Sequence, residues 1–173
     1  YEAELAARVT GPLDLRRTFL PKGVAVPAPR ISGYSRGGAG PVNVTTDVAW
    51  GGWAWASGGI VSTPGNLSGF ARGYLGGRLF GRDVRTAQRS FVPGSSEPKG
   101  PGRNAAGLGI FRYRTRCGTV FGHTGNITGY TQFFAATADG RRSVAFSINT
   151  QVTDEILAPL RRAQVDAVCA ALA

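Results

Sequence analysis

The spacing of apolar residues in the first half of the chain predicts three helices. The clearest begins at Ser62-Thr63, whose hydroxyls can cap a helix, followed by Pro64 at the first helical position. Apolar residues then recur on one helical face, namely Leu67, Phe70, Ala71, Tyr74 and Leu75. Gly76-Gly77 ends this helix. Weaker patterns predict the end of an amphipathic helix over 1–9 and a short helix over 82–89.

After position 105 the apolar residues alternate instead of following a helical period. The alternation predicts four strands, at 108–113, 119–122, 130–137 and 143–149. Asp139-Gly140 predicts a tight turn between the last two strands. A final helix is predicted to begin at Thr153-Asp154-Glu155, with a sheet-facing side formed by Ile156, Leu160, Ala163, Ala167 and Val168. This order predicts an α+β fold in which an antiparallel sheet is flanked by helices.

Two segments follow neither period. Residues 21–46 are rich in Pro, Gly, Ser and Thr, which predicts a long irregular connection, and residues 93–104 are predicted to form a loop. Between them, residues 47–59 carry the three tryptophans of the chain, Trp50, Trp53 and Trp55.

The composition bounds the class of protein. A length of 173 residues with 42% hydrophobic residues suits one domain, or a large part of one, with a buried core. No apolar run approaches the roughly 20 residues that a membrane span needs, so we expect none. The chain contains no methionine and begins at Tyr1, which predicts a processed or excised piece of a longer protein.

The net charge of +10 arises from 20 basic and 10 acidic residues. The arginines are scattered from Arg8 to Arg162, and no nucleic-acid-binding motif accompanies them. We therefore interpret the charge as a solvated surface and expect no nucleic-acid partner. A basic nucleic-acid binder is the alternative, and charge alone supports it.

The two cysteines are not spaced as metal ligands, and His123 is the only histidine. We therefore expect no metal and no cofactor. A bond between Cys117 and Cys169 would close a loop of about 50 residues and stabilise the fold by about 4 kcal/mol. Two buried free thiols are the alternative.

The segment 121–130 is the strongest local candidate for chemistry. His123 is predicted to lie between a strand and a bend, and Gly122, Gly125 and Gly129 leave room for another molecule to approach the backbone. From spacing alone, a surface histidine or a hydrogen-bonded core histidine is the competing interpretation.

Four separated stretches resemble one family in order and spacing. They are RVTGPLDL at 8–15, ASGGIVST at 56–63, GHTG at 122–125 and ADGRRSV at 138–144. The chain thus resembles the C-terminal half of the penicillin-recognising serine hydrolases, in the class C β-lactamase and D-Ala-D-Ala carboxypeptidase branch, and most closely the secreted actinomycete DD-peptidases. His123-Thr124-Gly125 resembles the H-T-G form of the family's third motif.

The resemblance divides the chain into three parts. Residues 1–20 correspond to the end of a helical subdomain, 21–104 to an irregular connection with helices, and 105–173 to antiparallel strands with the C-terminal helix. The family's S-x-x-K and Y-x-N motifs would lie upstream of this chain. One literal S-x-x-K, Ser96-Glu97-Pro98-Lys99, is rejected as the nucleophile motif because Pro98 and the flanking glycines forbid the helix it requires.

The resemblance also assigns roles to residues. His123 would orient the substrate or a catalytic tyrosine, and the backbone N–H of Asn126 would be one donor of the oxyanion hole. Thr124 would offer a hydroxyl to the substrate's carboxylate or amide, beside Gly125. Trp53 and Thr128 would line the acyl-side pocket, although core packing is an equal alternative for the tryptophan.

A departure from the family pattern concerns the strand before the third motif. DD-peptidases hold the terminal carboxylate of the substrate with an arginine on that strand, where this chain has Phe111. Alternation turns Arg112 to the other face of the sheet. The change favours a neutral or aromatic leaving group over a free carboxylate.

The resemblance implies a disulfide between Cys117 and Cys169 and therefore a secreted protein. It implies a serine hydrolase that acts by acyl-enzyme chemistry on D-configured peptides, amides or esters, with β-lactams as related ligands. Its partner would be the N-terminal segment or chain that carries the nucleophilic Ser and its Lys, without which we expect no catalysis. The alternative function is a non-catalytic module that binds peptidoglycan-like or β-lactam ligands.

Overall fold

The computed structural model describes residues 1–22, 26, 28–37, 40–45 and 54–173. Its helices are α1 (Glu2–Leu5), which continues as a π-helical turn over Ala6–Thr10, α2 (Trp55–Gly58), α3 (Pro64–Leu75), α4 (Arg82–Gln88) and α5 (Asp154–Leu172). Its strands are β1 (Tyr34–Gly37), β2 (Gly40–Asn43), β3 (Val92–Pro93), β4 (Arg103–Ala106), β5 (Phe111–Thr115), β6 (Gly118–Ile127), β7 (Tyr130–Ala136) and β8 (Ser143–Ile148). None of the helices in this part of the chain is long and apolar enough to cross a membrane.

A six-stranded sheet forms the centre of the fold. Its strands follow one another in chain order from β3 to β8, and every neighbouring pair is antiparallel. Strand β6 pairs with β7 along 121–127, but it pairs with β5 only along 118–122. The predicted antiparallel α+β fold with flanking helices is confirmed.

Helix α3 covers one face of the sheet. The predicted start is confirmed, because the Thr63 side chain accepts a hydrogen bond from the backbone N–H of Asn66 at 3.2 Å and Pro64 occupies the first turn. Its buried side packs in a cluster formed by Ala71, Leu75, Ile110 and Ala136. The predicted helix over 82–89 is present as α4.

Helix α5 covers the opposite face. Its Val168 packs in a second cluster with Tyr113, Val120, Phe133 and Ala135. The predicted sheet-facing side is wrong at Ala163, which is exposed, whereas Gln164 is fully buried. Leu160, Gln164 and Val168 lie four residues apart and share one side of the helix, while Ala163 is rotated away from it.

A disulfide joins the sheet to helix α5. Cys117 lies immediately before β6, and Cys169 lies near the end of α5, with their Cα atoms 5.2 Å apart. The predicted bond is confirmed. It closes a loop of 52 residues, for which the loss of chain entropy in the unfolded state is worth about 4 kcal/mol.

The segments predicted to be irregular contain short strands. Tyr34–Gly37 and Gly40–Asn43 form a hairpin within the predicted connection 21–46, and β3 and β4 lie at the two ends of the predicted loop. Strand β5 begins at 111 rather than 108, because Gly107 donates to the Ile110 carbonyl across a turn in which Gly109 has φ of +69°. Strands β1, β2 and β3 each contain glycine or proline, and none of the strands β1 to β4 is longer than four residues, so no alternating pattern reveals them.

Candidate active site

The second half of β6 is a sheet edge. Residues 123–127 pair with β7, and no other strand of the described residues pairs with them on the opposite side. His123 therefore lies inside a strand, and the predicted position between a strand and a bend is wrong. The bend follows at Thr128-Gly129, where Gly129 has φ of +81°. The unpaired side of this strand presents backbone donors and acceptors to an incoming ligand.

His123 is half-buried beside an aromatic ring. The ring of Phe111 meets the imidazole edge-to-face, with the centroids 5.0 Å apart and the planes at 71°. The Nδ1 atom of His123 lies within hydrogen-bonding distance of the Thr124 carbonyl oxygen. Among the described residues, no hydrogen bond occupies Nε2, so that atom can serve a ligand.

Arg112 is separated from this pair by the sheet. Its guanidinium lies over the ring of Phe91, 4.8 Å from the ring centroid, in a cation–π contact. Phe111 and Arg112 therefore lie in different surroundings, as alternation along a strand requires. The described residues place an aromatic ring, and not a guanidinium, next to His123.

Gly122 and Gly125 differ in what their neighbours allow. A Cβ atom at Gly122 would lie 1.9 Å from the carbonyl oxygen of Phe134, so packing alone requires glycine there. At Gly125 the nearest atom would be Oε1 of Gln132 at 3.4 Å, which is an ordinary contact. Packing therefore does not require glycine at 125. A glycine there would instead let a ligand approach the backbone of the strand.

Asn126 is fixed in position through its side chain. Its Oδ1 accepts a hydrogen bond from the backbone N–H of Val152, at 3.0 Å, and lies 2.9 Å from the hydroxyl oxygen of Thr131, which lies equally close to the Thr150 carbonyl oxygen. Thr131 is the residue opposite Asn126 on β7, and it is buried. The backbone around Asn126 is therefore held by contacts from β7 and from the segment before α5.

The hydroxyl of Thr124 is already engaged. Thr124 is buried and donates to the backbone carbonyl of Pro98 at 2.7 Å. A hydroxyl carries one proton, so Thr124 cannot donate to a substrate carboxylate while this bond is present. Donation to a substrate carboxylate would require this bond to break, whereas a substrate amide N–H could still donate to the Thr124 oxygen. Thr128, by contrast, is exposed at the bend, and Trp53 lies outside the described residues.

The literal S-x-x-K tetrapeptide lies in a loop between β3 and β4. Ser96 is 1% exposed, donates to the Pro98 carbonyl at 3.1 Å, and accepts from the hydroxyl of Tyr113 at 3.0 Å and from the N–H of Gly100 at 3.1 Å. Lys99 is exposed. A serine whose hydroxyl is buried and fully bonded is not available as a nucleophile.

Tyr113 completes this buried group. Burial raises the pKa of Tyr113 to about 12. Tyr113 therefore keeps its proton and acts as a donor. Sequence reasoning missed the group because its members are up to 28 positions apart, from Ser96 to Thr124, and no local pattern connects them.

The comparisons agree with this architecture. The family model described as Beta-lactamase matches residues 1–168. The chain is similar to the structure of a D-stereospecific amidohydrolase from a Streptomyces species, with 28% identity and a TM-score of 0.76 over 93% of this chain and 48% of that one.

Two further structures are similar in fold. The D-amino acid amidase of Ochrobactrum anthropi has 22% identity and a TM-score of 0.80 over 99% of this chain and 50% of that one. The octameric penicillin-binding protein homologue of Pyrococcus abyssi has 20% identity and a TM-score of 0.70 over 94% of this chain and 37% of that one.

The chain thus spans about half the length of the two amidohydrolase structures and 37% of the third. The match to the family model covers nearly the whole chain, and the antiparallel sheet with helices on both faces is the fold of those structures. This chain belongs to the beta-lactamase family.

Proposed function

We propose that this chain is part of a serine hydrolase that acts through an acyl-enzyme on D-configured peptides, amides or esters. The observation that carries the proposal is the unpaired edge of β6, which begins at His123-Thr124-Gly125. Such an edge binds an extended substrate by main-chain hydrogen bonds and sets its scissile carbonyl beside the strand.

The residues of this chain would bind and polarise the substrate rather than attack it. The N–H of Asn126 supplies one donor to the oxyanion that develops on the scissile carbonyl, and the fixed position of Asn126 supports this role. His123 orients the substrate through Nε2. Gly125 leaves space for the substrate main chain, and Thr128 contributes to the acyl-side pocket.

The nucleophile would come from a separate N-terminal segment or chain. That segment carries a Ser whose oxygen attacks the carbonyl, while its hydroxyl proton passes to a neighbouring Lys and then to the leaving group. Water or an amine then releases the acyl group. The buried Ser96 of this chain supports the view that the nucleophile lies elsewhere.

The leaving group would be neutral rather than a free acid. By the resemblance, Phe111 stands where DD-peptidases have an arginine, and its ring contacts His123. Arg112 contacts Phe91 instead, and the proton of Thr124 is used by Pro98. Each observation removes a partner for a carboxylate. The similarity to a D-stereospecific amidohydrolase supports an amidase among the DD-peptidase-like hydrolases. The disulfide supports export to an oxidising compartment.

A non-catalytic binding module is the second candidate. It is favoured by one observation, namely that the serine of the only S-x-x-K of the chain is buried in a loop. Such a module would use the same β6 edge to bind a peptidoglycan-like or β-lactam ligand without forming a covalent bond.

A labelled penicillin and a fluorophosphonate separate the two functions. The protein is purified from its native source, and its intact mass is measured before and after labelling. We expect a second polypeptide, or a longer chain, that gains one covalent label on a serine outside residues 1–173. Saturable binding without a mass increase would support the binding module. If the protein neither binds nor is labelled by the probes, both proposals are overturned.

A further inference from the structure

A buried hydrogen-bond network lies under the β6 edge and is not used by the proposed reaction. It consists of Tyr113, Ser96, Thr124 and the carbonyl of Pro98, and the three side chains are 4% exposed or less. The hydroxyl of Tyr113 donates to Ser96, and Ser96 donates to the Pro98 carbonyl. Thr124 donates to the same carbonyl from the strand. The network therefore bonds β6 to the loop that precedes β4.

The loop is itself held in place from both sides. The side-chain amide of Asn104 donates to the carbonyls of Pro101, at 3.0 Å, and of Gly102, at 3.3 Å, and its oxygen accepts from the N–H of Gly100 at 3.1 Å. From α5, Arg161 donates to the carbonyls of Gly100, at 3.0 Å, and Gly102, at 2.8 Å. The Pro98 carbonyl is thus an acceptor on a fixed support.

Packing alone does not account for this choice of residues. Valine at 124 and alanine at 96 would fill these positions without the free-energy cost of desolvating two hydroxyls. Buried hydroxyls are tolerated only when each has a hydrogen-bond partner. Here every hydroxyl has a partner, and the bonds have a direction, from Tyr113 through Ser96 to Pro98 and from Thr124 to Pro98. Such a network defines one position of the strand relative to the loop.

We propose that Ser96 and Thr124 are positioning residues that lock the β6 edge, and with it the backbone of Asn126, through the Pro98 carbonyl. The proposal rests on the proposed function, because the β6 edge needs a fixed position only if it binds the substrate for acyl transfer. Thr124 lies between His123 and Gly125 and two residues before Asn126, so the network holds the strand on the N-terminal side of the candidate oxyanion donor, while Thr131 and Val152 hold the Asn126 side chain. While Thr124 donates to Pro98, its hydroxyl proton is not available to a substrate.

The test uses the protein that contains this chain and four substitutions. Thr124→Val and Ser96→Ala remove hydroxyls of the network, and Thr124→Ser restores one. Thr119→Val is the matched control, because Thr119 is an exposed threonine on the same strand. Amide hydrogen exchange over 123–127 reports the strand, and kcat and KM for a D-amino acid amide report the reaction.

We expect exchange over 123–127 to be at least tenfold faster in Thr124→Val and Ser96→Ala, and unchanged in Thr124→Ser and Thr119→Val. We expect kcat to fall at least tenfold in the first two variants while KM stays within twofold, because a displaced oxyanion donor affects the transition state and not substrate binding. If Thr124→Val does not fold, Ser96→Ala carries the test, since it leaves the strand unchanged.

Two results would overturn the proposal. Unchanged exchange in both variants would show that the network does not hold the strand. Loss of activity in Thr124→Val with unchanged exchange would show that Thr124 contacts the substrate directly, and the hydrolase proposal would stand. If the unsubstituted protein neither hydrolyses nor takes a covalent label, the proposed function fails, and exchange alone then decides whether the network holds the strand.

Discussion

Two glycines three positions apart on β6 differ in their requirement for space, and this difference is testable. We expect Gly122→Ala to destabilise the fold by about 3 kcal/mol, because its Cβ would overlap the Phe134 carbonyl oxygen. We expect Gly125→Ala to change stability by less than about 0.5 kcal/mol, as at a surface position. The measurement is chemical unfolding of each variant of the protein that contains this chain.

The same two variants separate folding from binding. Gly125→Ala should slow acylation by the labelled penicillin at least tenfold while its unfolding midpoint stays unchanged. An equal loss of stability in Gly125→Ala and Gly122→Ala would contradict the assignment of Gly125 to ligand access.

A prediction on specificity follows from Phe111. A free carboxylate brought against an aromatic ring has no charged partner, and an unpaired charge removed from water costs several kcal/mol. We expect kcat/KM for a D-Ala-D-Ala peptide to be no higher than for its C-terminal amide or methyl ester. Phe111→Arg should shift the ratio towards the free acid.

The control for this shift is Leu108→Arg, which adds the same charge at a residue that is 64% exposed. A hundredfold preference of the unsubstituted protein for the free acid, equal to about 2.7 kcal/mol in transition-state binding, would show that a cationic clamp is present. The assignment of Phe111 to that position would then be wrong.

At the scale of elements, the disulfide connects the start of β6 to the end of α5. We expect the double substitution Cys117→Ser and Cys169→Ser to lower the free energy of unfolding by about 4 kcal/mol, because the unfolded chain regains the entropy of the open loop. Denaturant unfolding of the oxidised protein and of the double variant measures this difference. Non-reducing peptide mapping that recovers both cysteines as free thiols would contradict the bond.

The helices and strands differ in whether a local sequence pattern predicts them. Helix α3 and strands β7 and β8 could be predicted because a proline start and regular alternation are local features. The extension of β6 through Ile127 could not, because Gly122 and Gly125 interrupt the apolar pattern. Its second half is a strand because β7 pairs with it, which is a non-local cause.

The same distinction applies to the site. The segment His123-Thr124-Gly125 could be found from its resemblance to a family motif. The network could not, because Pro98 and Thr124 are 26 positions apart and meet only when the sheet forms. The engagement of the Thr124 hydroxyl by Pro98 is therefore a finding of the structure alone.

At the scale of the whole molecule, the described sheet has an open edge at β8. This strand pairs with β7, and no further strand among the described residues pairs with its other side. Because unpaired edges template association, we expect the 173-residue polypeptide expressed alone to be poorly folded, self-associated and inert. Size-exclusion chromatography and thermal unfolding measure this. A monomer of 18 kDa that melts cooperatively and hydrolyses a D-amide would contradict it.

The loop that carries Pro98 has a consequence for how this protein tolerates changes in length. Loops usually accept insertions and protease cleavage, because their backbone groups face water. Here Ser96, Pro98, Gly100 and Pro101 are buried, and the loop carbonyls are bonded to Asn104 and Arg161. An inserted residue or a cut in this loop would displace β6. The tip of the turn before β5 is more tolerant, because Leu108 is exposed and a Cβ atom at Gly109 would meet no atom within 4 Å, whereas one at Gly107 would lie 2.2 Å from the Gln88 carbonyl oxygen. The permissive site for a tag or a circular permutation in this half of the molecule is therefore the turn before β5.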